Sequence, residues 1–181
     1  MGLLEQYEQL LLQWAPRFDL VAPGDLEHLR ERHIEDSLRL LPLLAEAPPG
    51  PCIDVGSGAG LPGIPLAIAS GRPWRLVEPR KKRAGFLEEV VRRLDLDCEV
   101  VARSAEELHR DPDFRGTHVF ATARALAAPE IALKLLQPLL SATGTGAIFI
   151  GRDVPPPEGS RTWEPGIAIF TGRRHSEGKL K

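Results

Sequence analysis

The chain has 181 residues, 43% of them hydrophobic, a formal net charge of -2 and two cysteines. Its size and apolar content suit one compact domain with its own core. The charge excludes a surface coated in cations, and two cysteines exclude a disulfide framework. No run is apolar for the ~20 residues of a membrane span, and the N-terminus lacks the basic-then-apolar order of a signal peptide. The expectation is a cytoplasmic monomer in which Cys52 and Cys98, both in apolar runs, are buried free thiols.

In chain order, Leu3, Leu4, Tyr7, Leu10, Leu11 and Trp14 recur at spacings of three and four, one face of an amphipathic helix ended near Pro16. Asp25 is placed to cap a second helix whose inner side carries Leu26, Leu29, His33 and Leu38. Pro42 kinks it or starts a new segment. The turn "EAPPGP", Glu46 to Pro51, closes this helical preface, so residues 1–47 read as an extension and 48–181 as the α/β core of the same domain. In that core, strands are predicted at Cys52 to Val55, Trp74 to Glu78, Cys98 to Ala102 and Thr117 to Thr122. Helices are predicted at about Pro62 to Ser70, Lys81 to Leu94, near Ala105, and from Pro129 to about Leu140. The third-turn spacing of Ala84, Leu87, Val91 and Leu94 gives the second of these an apolar side. Gly144 and Gly146 introduce a fifth strand ending near Gly151, Pro155 to Pro157 form a stiff connector, and Thr162 to Gly172 read as a hairpin about Pro165-Gly166. Strands alternating with helices predict a Rossmann-like, doubly wound, mostly parallel sheet with an antiparallel edge.

The stretch "CIDVGSGAGLPGIPLAIA", Cys52 to Ala69, packs glycines behind the first strand. A glycine-rich turn between a strand and its helix lets a ligand touch main chain. Two registers fit: Gly58, Gly60 and Gly63 match the G-x-G-x-x-G dinucleotide pattern, and Gly56, Gly58 and Gly60 match the G-x-G-x-G turn of methyltransferases, with Asp54 just before it. The apolar run stops at Val55, so the turn begins at Gly56 and the second register is preferred; Pro62 then sits where a first helical turn tolerates it. Glu78 ends the second strand about 20 residues on, where a carboxylate can accept both hydroxyls of a ribose. NAD and S-adenosylmethionine use such a carboxylate alike, so Glu78 alone does not choose between them.

Other chemistry is thinner. The five histidines show no metal-ligand spacing, and no metal is expected. Pro51-Cys52 resembles the nucleophile motif of cytosine-C5 methylating enzymes, but it enters the first strand instead of following a later one, so that role is rejected. Arg80 to Arg83 form four consecutive cations, with Arg173, Arg174, Lys179 and Lys181 in the tail; such clusters suit phosphate. Arg92 and Arg93 read as a solvated helix face, and Trp14 and Trp74 as core.

"RHIEDS" (Arg32 to Ser37), "DVGSGAGLPGIPLAIA" (Asp54 to Ala69), "KKRAGFLEEV" (Lys81 to Val90), "SAEEL" (Ser104 to Leu108) and "ARALA" (Ala123 to Ala127) together resemble the GidB/RsmG family, in its order and spacing. The resemblance implies a class I S-adenosylmethionine-dependent methyltransferase acting on guanine N7 in small-subunit ribosomal RNA, with 16S rRNA or the 30S subunit as partner. It implies that Asp54, Gly56, Ser57, Gly58, Gly60 and Leu61 make the cofactor loop and that Glu78 holds the ribose. Ala105 and Glu106 would lie beside the adenine, and Arg124 would face cofactor and base. Arg32 and Asp36 would close over the site; at helical spacing of four they also read as a plain surface ion pair. The chain departs from the family pattern at Asp19-Leu20-Val21, usually Asn-Leu-Thr, at Ser104, usually arginine, and at Ile150, usually lysine. Those departures leave open a relative that methylates another RNA or a small molecule, or that binds the cofactor without turnover.

Overall fold

The computed structural model describes residues 1–172, and the tail cations from Arg173 onward lie outside the described residues. Seven strands form one sheet in the order β3-β2-β1-β4-β5-β7-β6. They are β1 Cys52–Val55, β2 Trp74–Val77, β3 Cys98–Val101, β4 His118–Arg124, β5 Leu140–Phe149, β6 Arg161–Glu164 and β7 Ile167–Thr171. β1 to β5 are parallel, and β7 runs antiparallel between β5 and β6. The strand order reverses at β1, which pairs with β2 on one side and β4 on the other. In a doubly wound sheet, ligands bind in the crevice at the carboxyl ends of the strands beside that reversal.

Helices cover both faces. On one, α1 Leu3–Phe18, α3 Leu41–Glu46, α4 Gly63–Ser70 and α5 Lys81–Leu94 pack Leu11, Leu44, Leu66 and Leu87 onto Trp74, Leu76 and Phe120. On the other, α6 Ala105–Leu108 and α7 Pro129–Leu136 pack Leu108 and Leu136 onto Ile53, Val77 and Ala121. The two-residue period of a strand divides β1 between these layers. Cys52 and Asp54 point under α4, while Ile53 and Val55 point to α6 and α7. Both faces are covered, which is why β1 reads as a continuous buried run.

The helical preface differs from its sequence reading. α1 passes Pro16 and closes at Asp19, whose left-handed φ of 47° suits an aspartate. Asp25 caps nothing: it lies within a 3-10 turn, Pro23–His28, that starts after Ala22, and its carboxylate binds the Arg32 guanidinium at 2.9 Å. A π-helical turn, Arg30–Glu35, follows, then the single turn α2 Asp36–Leu38. The wider turn shifts the inward register. Leu29, Ile34, Ser37 and Leu40 are buried, whereas Leu26, His33 and Leu38 are only partly so. Pro42 does start a new helix, α3.

In the core, Gly144 and Gly146 lie inside β5 instead of before it. The Phe170 ring of β7 lies over Gly146 where a Cβ would stand, so the glycine serves close packing, not a turn. Cys52 is buried but Cys98 is only half so. Burial pushes their thiols up to about 11 and about 12, which leaves neither as a nucleophile at neutral pH. Arg92 and Arg93 both pair with Glu89 on the outer face of α5.

Tyr7, fully buried on α1, donates its hydroxyl to the Ala59 carbonyl at 2.8 Å and so pins the helical preface to the loop after β1. Tyr7→Phe leaves that carbonyl without its partner. It is expected to lower unfolding free energy by about 1–2 kcal/mol in a denaturant titration, with an unchanged slope.

Candidate active site

The loop after β1 is built from below by one carboxylate. Asp54 is fully buried. Its Oδ1 accepts from the Thr122 hydroxyl at 2.7 Å, directly across the β1–β4 ladder, and its Oδ2 accepts from the Gly63 amide at 3.2 Å, at the start of α4. A Cβ at Gly63 would stand 2.8 Å from that same oxygen, so only glycine lets α4 approach so closely. The Ser57 hydroxyl donates to the Asp54 carbonyl at 2.9 Å, and the Gly56 and Ser57 amides both donate to the Val77 carbonyl of β2. Gly56 and Gly58 hold φ of 73° and 55°. Leu126 rests on Gly56, where a Cβ would come within 2.5 Å of its Cδ1.

Glu78 stands at the end of β2 and is nearly buried. Its Oε2 accepts from the Gly58 amide at 3.0 Å and its Oε1 from the Arg80 amide at 2.9 Å. Each carboxylate oxygen keeps an acceptor site beyond those bonds. Arg83 reaches from α5 to the Asp19 carbonyl at 2.8 Å and closes the loop's outer side.

Arg124 ends β4 and joins the helical preface to the sheet. Its Nη2 donates to the Arg32 carbonyl and to His33 Nδ1, both at 2.9 Å, while Nη1 lies 3.5 Å from the Asp36 carboxylate. The next residue, Ala125, holds φ 51°, a conformation that costs an L residue about 1 kcal/mol. Burial and the neighbouring Arg124 charge lower the His33 pKa, so the ring is a neutral acceptor at Nδ1. Its Nε2 stands 3.5 Å from Asp25 but out of hydrogen-bond alignment.

Two cavities meet at this point. The first, about 220 Å³, is lined by Gly56, Ser57, Gly58, Ala59, Leu61, His33 and Arg83, with Leu20 to Ala22 at its mouth. The second, about 400 Å³, lies between Asp36, Phe149, Arg152 and the β6–β7 turn. Arg124 and Ala125 line both. Group transfer requires two ligands in direct contact, and the two cavities adjoin at these residues.

A family model described as GidB, rRNA small subunit methyltransferase G, matches residues 1–153. The chain belongs to this family. A ribosomal RNA small subunit methyltransferase G of Granulibacter bethesdensis is 40% identical over 179 residues, covering 98% of this chain and 81% of that protein. That of Gluconobacter oxydans is 36% identical, covering 98% and 89%. Among solved structures, a variant of MtNAS in complex with S-adenosylmethionine aligns with a TM-score of 0.60 at 16% identity, covering 94% of this chain and 75% of that one. A protein of Corynebacterium glutamicum aligns with a TM-score of 0.63 at 13% identity, covering 95% and 92%. These two carry the fold alone, and it is the Rossmann-like class I methyltransferase fold.

S-adenosylmethionine is the cofactor of a GidB-family methyltransferase, and the glycine-loop lining suits it, while the cavity, about 220 Å³, is smaller than the ~300–1,000 Å³ of sites that enclose a whole ligand of this kind. Gly56 and Gly58 line it with bare main chain, and Glu78, which is outside the lining but bonded to the Gly58 amide, keeps acceptor sites beyond its two amide bonds. Of the residues singled out from sequence, Gly56, Ser57, Gly58, Leu61 and Arg124 line this cavity. Asp54 and Gly60 do not: Asp54 lies beneath the loop, and a Cβ at Gly60 would meet Ile64, Leu87 and the Tyr7 hydroxyl, so both shape it from within the core. Ala105 and Glu106 open α6 at the end of β3, beyond the cavity's described lining, with Ala105 buried and Glu106 exposed. Arg32 and Asp36 do not pair. The Arg32 side chain turns outward to Asp25, and Asp36 turns to Arg39 and Arg124. One of the substituted family positions, Ser104, has a structural role, and its neighbour Arg103 a partner. Ser104 caps α6 by accepting from the Glu107 amide, and Arg103 binds Asp111 at 2.7 Å. Sequence reading did not single out His33, Arg83, Ala125 and Phe149, which line the two cavities, as site residues.

Burial pushes the Asp54 carboxyl up to about 6, whereas an unfolded aspartate titrates near ~3.9. Between those values the folded chain holds a proton that the unfolded chain has released, so this group's contribution to stability falls as pH rises through the window and is level above it. Asp54→Asn retains an acceptor for Gly63 and a polar partner for Thr122 but cannot titrate. Urea titrations of both proteins should show wild type losing about 2–3 kcal/mol relative to D54N between about pH 4 and 6. A difference independent of pH would contradict the buried carboxyl.

Proposed function

We propose that the chain transfers the methyl group of S-adenosylmethionine to N7 of a guanine in small-subunit ribosomal RNA. The observation that carries this is the pair of cavities sharing the Arg124–Ala125 wall, one lined by the glycine loop and the other open beside it. Family membership, with relatives named for small-subunit rRNA methylation, supports the RNA substrate.

The bound cofactor supplies an electrophilic methyl group on a sulfonium. Guanine N7 carries a free lone pair, so no proton has to leave before attack and no general base is required. The wall agrees with that economy. His33 has its Nδ1 engaged by Arg124, and Asp36 gives one carboxylate oxygen to Arg39; the reaction asks neither of them for a proton transfer. What remains for the protein is placement, which supplies ~7–11 kcal/mol when reacting atoms are held close and in line. Arg124 is the positioning group. Half-buried and braced by two main-chain carbonyls of the π turn, it cannot swing freely, and it presents fixed positive charge where the cavities adjoin. The Gly56–Gly58 main chain and Glu78 hold the donor side, and Leu20 to Ala22 limit water at the mouth of the first cavity. Exposed Arg80, Lys81 and Lys82 at the start of α5 suit RNA phosphate near that side.

Labelled methyl transfer to 30S subunits lacking the modification tests this reading. A single labelled guanine that becomes a strand-cleavage site after borohydride and aniline treatment is expected. Label on RNA that resists this cleavage would reject N7, and no label on the subunit would reject the ribosomal target. Arg124→Ala should reduce kcat/KM about a hundredfold or more.

A further inference from the structure

The grip of the helical preface on β4 turns on one ring nitrogen. His33, in the π turn, places Nδ1 2.9 Å from Arg124 Nη2. A guanidinium only donates, so this Nδ1 carries a lone pair and the ring proton sits on Nε2. Nη2 has two N–H groups, and its other short bond, also 2.9 Å, goes to the Arg32 carbonyl. The Nη1 contacts are longer, 3.4 Å to the His33 carbonyl and 3.5 Å to Asp36. His33 therefore supplies one of the two short bonds that aim Arg124 where the cavities adjoin.

The opposite edge of the ring faces a carboxylate. Nε2 is buried, has no hydrogen-bond partner among the described residues, and stands 3.5 Å from Asp25 Oδ2. The ring thus lies between a cation and an anion. Neutral, it accepts from Arg124. With a proton on Nδ1 it can no longer accept, it meets Arg124 as a second cation, and only Asp25 favours it. The other charged groups of the surrounding elements are engaged elsewhere. On α2, Asp36 holds Arg39; on α1, Glu8 holds Arg30, and Tyr7 donates to Ala59; on α5, Arg83 donates to the Asp19 carbonyl. Arg32 is bound by Asp25, and Glu27, His28, Glu31 and Glu35 are exposed. Burial, and then the Arg124 charge, holds the ring's pKa below the ordinary histidine value, so the gripping form prevails at neutral pH.

We propose that His33 is a positioning residue for methyl transfer: its unprotonated Nδ1 holds Arg124 in place between the two cavities, and a proton taken from solvent onto Nδ1 releases Arg124 and arrests transfer. This deepens the proposed function and rests on the positioning role given to Arg124 there. No proton passes between His33 and the substrate. The reaction itself stays free of a general base, yet its rate carries an acidic limb that belongs to a group outside the chemistry.

Histidine nitrogen resonances of the intact, isotope-labelled chain, followed with pH beside methyl transfer to 30S subunits, test this. Wild type should show His33 as the Nε2–H tautomer near neutral pH, with a one-proton midpoint below that of an ordinary histidine, and Arg124→Met should raise the midpoint. Below the same midpoint wild-type kcat/KM should fall about tenfold per pH unit. His33→Asn puts an amide oxygen near the place of Nδ1 and cannot titrate; it should keep kcat/KM within about threefold of wild type at about pH 8 and lose the limb. His33→Phe, which keeps a ring but no acceptor, should lose about tenfold or more in kcat/KM at that pH. An Nδ1–H tautomer, a midpoint unmoved in R124M, or a limb that persists in H33N overturns the proposal. Equal losses in H33N and H33F at every pH overturn it too, as the mark of a merely structural ring. If 30S subunits accept no methyl, the tautomer and the midpoint in R124M still decide the contact, and the ribosomal target alone falls.

Discussion

The hydrogen bonds of one buried carboxylate hold this site together. Asp54 ties three elements at their meeting point: its own strand β1, the neighbouring β4 through Thr122, and the first turn of α4 through Gly63. Removing a carboxylate from water is costly, and the rise of its pKa to about 6 records that cost. The return is geometric. With α4 held against the strand, the chain between them must bend within a few residues, and the bend is made of glycines at positive φ, of which Gly56 and Gly58 line the first cavity with bare backbone while their amides are bonded to Val77 and Glu78. Glu78 then braces the bend from the next strand by accepting the Gly58 amide. The loop is therefore shaped before any ligand arrives.

The helical preface belongs to the site, not to a separate layer above it. Tyr7 pins α1 beneath the loop, Arg83 ties the end of α1 to α5, and Arg124 grips the π turn through two main-chain carbonyls. The His33 carbonyl there also accepts from the Asp36 amide and the Ser37 hydroxyl, and π turns recur at functional positions. The same segment continues into Asp36 and Arg39, and Arg39 reaches Glu164 and Pro165 of the β6–β7 hairpin. The N-terminal helices and the C-terminal hairpin thus meet around the second cavity, on the far side of Arg124 from the glycine loop.

What was legible in the sequence follows the physics of burial. β1 and β2 are short apolar runs covered on both faces, α5 shows a clean helical period, and each was read within a residue of its bounds. The glycine run was legible because positive φ leaves a compositional trace. The preface was not, because its register depends on the π turn, and nothing local distinguishes that turn from an α-helix. Asp25 has the residue type of a cap, yet tertiary contact with Arg32 takes it elsewhere. Gly146 has the residue type of a turn, yet the Phe170 ring decides its role. Ala125 carries no signal at all, since an alanine gives no hint of a left-handed backbone. Of the second cavity's lining, Asp36 and Arg124 were named through the family resemblance, whereas Phe149 and Pro165, from distant parts of the chain, carry no local signal.

A structure of the chain with S-adenosylhomocysteine tests the central claim most directly. The account expects the ligand in the first cavity, its ribose hydroxyls on the Glu78 carboxylate, its main chain contacts at Gly56 to Gly58, and its sulfur turned to the Arg124–Ala125 wall. Ligand bound elsewhere, with the glycine bend empty and Glu78 still bonded only to the Gly58 and Arg80 amides, would contradict it.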